Sequence, residues 1–344
     1  MGIPKLHLRL LPYLLVLLPF FGLGQFNVEP EASIEFETVS VEYQAKHIDC
    51  DNNLLYIGTE DDTIMVLNAF PPYNLIDIIS NDNLNGGMGG PFLSEISAVL
   101  FHEGRLFIVD YDLGAISIFD RNTLALLNTI TLGFGGGGLG DLEGAVIHNN
   151  YLFVADWGND NIEVFNALPP FNPVAVLSPG NGPLHPKVID DLLYIPIYFE
   201  NRISIHSTTY PFGVVGNITN AELGNRLNSP SSVQIFNGYL LVSNFGGDNI
   251  EVFENSPPYD HVTTLDMGFS GTNFNGVGPM KIFNNRLFVV NYFESANDLE
   301  VFQILSPIVP TLSEWGLIVL AISLGILGIV ALRNKAIENS LSSY

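Results

Sequence analysis

An all-β chain, and more narrowly a six-bladed β-propeller with four-stranded blades, is what the sequence predicts, and three observations carry it. A short aromatic-rich strand recurs six times at a long period. Each copy is followed by a strand that alternates apolar and polar residues. The composition suits strands and turns: 47% of the 344 residues are hydrophobic and only 14% charged, with 33 Gly and 21 Pro. Flanking this body, the sequence predicts an N-terminal signal peptide (1–24) and one C-terminal hydrophobic helix inside a tail of residues 307–344.

At the N-terminus, Lys5 and Arg9 precede the apolar run Leu10 to Leu23, and Gly22-Leu23-Gly24 supplies small residues for cleavage. Pro12 and Pro19 argue against a permanent span, because each removes a backbone donor that lipid cannot replace. The mature chain is expected to start near Gln25.

The repeating unit occupies residues 25–306. Its second strands read "LLYIGT", "RLFIVDY", "YLFVADW", "LLYIPIY", "YLLVSNF" and "RLFVVNY". Their aligned leucines, Leu55, Leu106, Leu152, Leu193, Leu240 and Leu287, lie 51, 46, 41, 47 and 47 residues apart, the length of a four-stranded blade. Asn-Asn or Asn-Gly pairs before three of these strands suit two-residue hairpins. Third strands such as "NIEVFN" and "AISIFD" follow, then a nearly copied turn, "AFPPYN", "ALPPFN" or "NSPPYD". The sixth unit runs out after its third strand, so its outer strand is expected from the N-terminal side, as Ser33 to Tyr43, closing the ring without an open edge.

In "FVADWGNDNIEVF" (153–165) and "LVSNFGGDNIEVF" (241–253) the chain resembles NHL-type repeats of six-bladed propellers. The resemblance implies a recognition scaffold. Related six-bladed families, among them gluconolactonase-like hydrolases, carry a divalent metal at the top of the channel. No motif here matches those hydrolases' ligands residue by residue, but Asp156, Asn244 and Asn291 at second-strand ends could join Glu95, Glu143 or His185, which precede or begin inner strands, around a divalent cation such as Ca2+ on the channel axis. That makes Glu95, Glu143, Asp156, Asn244 and Asn291 candidate metal ligands. The other reading of Asp110, Asp156, Asn244 and Asn291, which recur at second-strand ends, is that each caps a turn in its own blade.

No residue is assigned a catalytic role. The Gly-rich stretch 133–144 lacks the Lys-Ser/Thr pair and following helix of a phosphate loop, so it reads as a link between blades. "DCDNN" (49–53) has the oxygen donors of a calcium site but aligns with hairpin turns. Cys50 is the single cysteine, which excludes an intrachain disulfide, and it reads as a small buried hydrophobe. Tyr111, Trp157, Phe199, Phe245 and Tyr292 follow successive second strands; they form either a ligand-binding ring on one face or packing between blades.

The tail carries Val309, Pro310, Thr311, Leu312, Trp315 and Gly316, then residues 316–332, a run of 17 without a charge, then Arg333 and Lys335. That run is about long enough to span a membrane, with the basic end on the cytoplasmic side. Motif, apolar run and basic end in this order resemble the IPTL-CTERM protein-sorting domain of bacteria, with Val309 where Ile is usual. The resemblance implies an exosortase-type processing protease as partner and a bacterial exported protein on the outer face of a membrane or the cell surface.

Net charge is −24, and residues 25–306 hold 8 basic against 34 acidic residues. Such a surface repels phosphate backbones, so nucleic acid is excluded as a partner. The expected function is therefore a noncatalytic, surface-displayed module for recognition or adhesion, whose extracellular protein or glycan the sequence leaves unnamed. The alternative is a metal-dependent, lactonase-like or esterase-like hydrolase.

Overall fold

The hairpin between the first two strands of every blade shows how local chemistry starts the fold. Asn52-Asn53, Glu103-Gly104, Asn149-Asn150, Asp190-Asp191, Asn237-Gly238 and Asn284-Asn285 all have positive φ at both positions, the turn that matches the twist of paired strands. "DCDNN" is therefore the end of a strand and its turn. The computed structural model describes residues 26–305 apart from 35–36, 39–40, 43, 89, 269–270, 272 and 293–298. The expected signal peptide, sorting motif and tail helix lie outside the described residues. Among the described residues no helix is long and apolar enough to cross a membrane.

The chain opens with β1 (Asn27–Ile34) and a separate two-stranded ladder of β2 (Glu37–Thr38) and β3 (Val41–Glu42). Blade one is β4 (Ala45–Asp51), β5 (Leu54–Thr59), β6 (Thr63–Asn68) and β7 (Leu75–Ser80). Blade two is β8 (Ile96–His102), β9 (Arg105–Asp110), β10 (Ala115–Asp120) and β11 (Leu126–Ile130). Blade three is β12 (Leu142–His148), β13 (Tyr151–Asp156), β14 (Asn161–Asn166) and β15 (Pro173–Leu177). Blade four is β16 (Lys187–Ile189), β17 (Leu192–Ile197), β18 (Arg202–Ser207) and β19 (Val214–Thr219). Blade five is β20 (Pro230–Phe236), β21 (Tyr239–Asn244), β22 (Asn249–Glu254) and β23 (His261–Leu265). Blade six is β24 (Val277–Phe283), β25 (Arg286–Asn291) and β26 (Leu299–Leu305), completed on its outside by β1. The first strands neighbour one another in cyclic order, β24 returning to β4, and line a central channel.

All six second strands begin where the sequence repeat places them. The closing strand differs: it is β1, which shares only Ser33 and Ile34 with the expected Ser33 to Tyr43. Its side chains give the reason. Ala32 and Ile34 pack on the cluster shared by blades one and six, while Glu31 meets Arg286. Pro30 is tolerated because an outer strand leaves one side of its ladder unpaired.

Apolar side chains pack between blades rather than within one. Val109, Ile116 and Ile118 of blade two meet Leu152, Val154 and Phe165 of blade three, and Leu55, Ile57 and Met65 of blade one meet Phe288, Val290 and Val301 of blade six. In blades one, three and four the turn before the outer strand inserts a plug into the same seams. Tyr73, Phe171 and Phe212 take φ of 56°, 56° and 60°, an unfavourable backbone for a bulky residue. Burial offsets it: these rings pack on Phe288, Phe107 and Phe153 of the preceding blade at centroid separations of 6.2, 6.1 and 5.5 Å. At the closing seam Arg286 donates to both carboxylate oxygens of Glu31 (2.7 and 3.0 Å) and to the Tyr73 hydroxyl (3.1 Å).

A polar clamp recurs at the ends of four second strands. Asp110, Asp156, Asn244 and Asn291 are buried, and each accepts the backbone N–H of the residue 16 positions earlier: Ser94 (2.6 Å), Gly140 (3.1 Å), Asn228 (3.1 Å) and Asn275 (2.8 Å). A second row ties neighbouring blades: Asp160, Asn201 and Asp248 accept N–H groups of Gly182, Ser229 and Gly276 at 2.7 to 2.8 Å. Burial raises Asp110 to about 6 despite its N–H donors. Asp110 also accepts the Leu113 N–H on its other oxygen (2.9 Å), so Asn, used by blades five and six, would remove the buried charge but keep only one of the two acceptors. Asp110→Asn, which removes the charge but keeps one acceptor, is therefore expected to cost less in urea unfolding at pH 7 than Asp110→Ala, which orphans both the Ser94 and Leu113 N–H groups and should lose about 1–3 kcal/mol or more.

Candidate functional site

The residue that follows each second strand is the structural source of the site. In chain order these residues are Glu60, Tyr111, Trp157, Tyr198, Phe245 and Tyr292, so five of six blades present an aromatic ring at one end of the channel. Four of them, with Phe199, form a continuous arc. Ring centroids are 5.8 Å apart for Trp157 and Phe199, 4.9 Å for Phe199 and Tyr198, 6.1 Å for Tyr198 and Phe245, and 5.7 Å for Phe245 and Tyr292. The arc walls a cavity of about 410 Å³ whose other lining includes Lys46, Glu60, Glu143 and His185. That volume falls within the roughly 300–1,000 Å³ of small-ligand clefts. Both sequence readings of these aromatics hold: the rings stand on one face, and they also pack between neighbouring blades, Tyr292 against the cluster of blades one and six, while Phe199 is left 57% exposed to solvent.

Glycines make room for the wall. A Cβ on Gly278 would stand 2.2 Å from the Tyr292 ring, and one on Gly144, held at φ +94°, would stand 2.6 Å from His185 Nδ1. Tyr292 is also fixed from its far end, where its hydroxyl donates to the Lys46 carbonyl (3.0 Å).

The polar side of the cavity centres on Lys46, which lies 5.0 Å from the Tyr292 ring centroid and bonds Glu60 (2.5 Å) and Glu95 (3.0 Å). Burial would lower its pKa, but the two carboxylates outweigh that and hold the ammonium above its ordinary range. The Glu143 carbonyl accepts the His185 N–H (3.0 Å), but its carboxylate accepts no hydrogen bond among the described residues. Burial raises it to about 7; Lys46 opposes the rise, and Glu95 and Asp141 add to it. Burial likewise raises Tyr111 to about 12, helped by Asp141 and Glu143. His185 is pushed down to about 3 by burial, then by His47 and Lys46, so its ring is neutral.

Of the five expected metal ligands, Glu143 lines the cavity and Glu95 stands beside it on Lys46. Asp156, Asn244 and Asn291 bond backbone N–H groups of their own blades instead. Among the described residues no group of three or more His, Cys, Asp and Glu is placed to hold a metal ion. Sequence reasoning missed Lys46, Glu60 and Tyr198. Tyr198 was legible, because counting from the end of the second strand puts it, and not Phe199, in register with the other aromatics. Cys50 is half-buried, and burial pushes its thiol up to about 12, consistent with an unreactive side chain.

The family model of the IPTL-CTERM motif matches residues 309–334, which concerns the tail and not the propeller. No curated protein matches the chain. Among solved structures, a chain of the mitotic checkpoint complex is 10% identical with a TM-score of 0.54, over 75% of this chain and 76% of that one. A functionally unknown protein from Desulfotomaculum acetoxidans is 13% identical with a TM-score of 0.52, over 79% and 87%. A candidate 6-phosphogluconolactonase from Bacteroides uniformis is 14% identical over 75% and 84%, with a TM-score of 0.49 that carries no argument. At these identities the likeness shows the fold alone.

The sign of the Glu143 shift gives a test. Between an ordinary carboxylate pKa of about 4.5 and 7, the folded chain keeps a proton that the unfolded chain has released, so this group makes stability fall as pH rises through that window. Glu143→Gln removes the charge at every pH. Its unfolding midpoint in urea, relative to wild type, should rise between pH 5 and pH 8; an offset equal at both pH values would show that Glu143 ionises normally.

Proposed function

We propose that this chain is an exported, surface-displayed, noncatalytic propeller that binds a glycan in the aromatic mouth of its channel. The single observation that carries the reading is the arc of Trp157, Phe199, Tyr198, Phe245 and Tyr292 facing carboxylates across one cavity. A sugar ring has an apolar C–H face and a rim of hydroxyls. The arc supplies flat apolar surface for the first, and Glu60 and Glu143 supply acceptors for the second. The wording of blades three and five supports kinship with NHL-type recognition scaffolds. The IPTL-CTERM motif supports a bacterial protein sorted to the surface, processed by an exosortase-type protease and held, before processing, by the membrane through residues 316–332.

A second reading, the lactonase-like or esterase-like hydrolase, draws on Glu143. A carboxyl near neutrality is suited to general acid–base work. Metal dependence would require Glu95 and Glu143 to recruit Asp156, Asn244 or Asn291 away from the backbone groups they now bind.

Two experiments test these readings. Trp157 and Trp315 are the only tryptophans, so fluorescence reports on the mouth. Titrating the full chain with neutral oligosaccharides should give a saturable change that Trp157→Phe abolishes, and Phe199→Ala should weaken affinity roughly tenfold, as expected for loss of one stacking contact. No saturable change, together with turnover of lactones or esters that Glu143→Gln eliminates, would replace recognition by hydrolysis. For sorting, mass spectrometry of the surface form should find a C-terminus near residues 309–316; an intact end at Tyr344 would leave only an anchor.

A further inference from the structure

Farther along the channel lies a second cavity of about 270 Å³, lined from all six blades, with His47, Asp49, His185, Lys187, Gln234 and Lys281 as its polar groups. We propose that this cavity binds a small oxyanion, held by the ammonium groups of Lys187 and Lys281 and met by N–H groups of the His47 and His185 rings.

The placement of positive charge is the first argument. The chain has five lysines, and the three within residues 26–305, Lys46, Lys187 and Lys281, all sit on first strands that line the channel. In a protein of net charge −24 this concentrates cations inside and carboxylates outside. Lys281 is ion-paired with Asp49. Lys187 lines the same cavity as Lys281 and is pressed by its charge, yet it makes no ion pair with a carboxylate among the described residues. Burial first, and then Lys281, lowers Lys187 to about 8, so it remains mostly charged at pH 7. The cavity therefore holds two ammonium groups and one carboxylate, and Cys50, pushed up to about 12, adds no thiolate.

Unpartnered histidine nitrogens are the second, independent argument. His47 and His185 are each 8% exposed and their rings lie 6.4 Å apart. Neither nitrogen of His47 has a hydrogen-bond partner, nor does Nδ1 of His185. Buried polar atoms are almost always satisfied, and each of these rings keeps one N–H to donate. Burial above all holds them neutral, with values of about 4 and 3. A metal cation would face two ammonium groups, and a neutral guest would leave Lys187 unpaired. A tetrahedral oxyanion or a carboxylate satisfies the ammonium and the ring donors together.

The test is a melting curve of the full-length chain at pH 7 in millimolar sodium sulfate, against sodium chloride of equal ionic strength. Binding to the folded state alone should raise Tm by a few degrees, in proportion to the logarithm of sulfate concentration once that exceeds Kd. Lys187→Gln should lose that response, while Trp157→Phe, altered only at the mouth, should keep it, so that failure here is distinguishable from failure of the glycan reading. Acetate in place of sulfate separates a carboxylate ligand from a tetrahedral one. Should Lys187→Gln not fold, the ring nitrogen resonances of His47 and His185 in the wild-type chain must shift with sulfate. A rise equal in wild type and Lys187→Gln, as general exclusion of sulfate would give, or histidine resonances that ignore both anions, would overturn the site.

Discussion

Ring closure is the constraint on which the rest depends. A four-stranded blade has two apolar faces, and each leaves water only when another blade covers it, so no subset of blades is a finished core. The six blades satisfy this in a cycle, and the cycle closes where β1, from the start of the described chain, becomes the outer strand of blade six. The cluster joining Leu55, Ile57 and Met65 to Phe288, Val290 and Val301 is the apolar part of that closure. Arg286 is its polar part, binding Glu31 of β1 and Tyr73 of blade one. One side chain thus connects both ends of the ring.

Closure also explains why a binding mouth can be built from loops and remain rigid. Every blade ends its second strand at the same rim, so a single position in the repeat yields six neighbouring side chains. Two rows of short polar residues fix that rim. Asp110, Asp156, Asn244 and Asn291 hold each blade's own entering loop, and Asp160, Asn201 and Asp248 hold the loop of the next blade. Because these groups are engaged with backbone N–H, the aromatic wall rests on a preorganised frame, which lowers the ordering cost of binding.

Charge is partitioned across the same frame. The three lysines among the described residues are drawn to the axis, where Lys46 meets two carboxylates and Lys281 meets one. Among the described residues Lys187 is the lysine without a carboxylate partner. The mouth and the inner cavity share His185 but differ in character: aromatic and acidic at the rim, basic farther in.

Much of the fold was written locally. The period of the aligned leucines, the Asn and Gly hairpin turns and the alternating third strands determine blades, their number and their strand boundaries, because each depends only on residues close in sequence. The tail motif is of the same kind. The closing strand was not legible in this way: Asn27–Ile34 and the stretch after it both fit a strand, and only Glu31 meeting Arg286, 255 residues away, distinguishes them. The aromatic ring was half legible, since the repeat located the rings but could not say that they line one cavity. The inner site was illegible, because His47, His185, Lys187 and Lys281 lie on three blades with nothing in their spacing to join them. Sequence by itself determined the repeating unit, through turn chemistry and periodicity; the tertiary structure decided which side chains face the axis together, because that follows only once the ring closes.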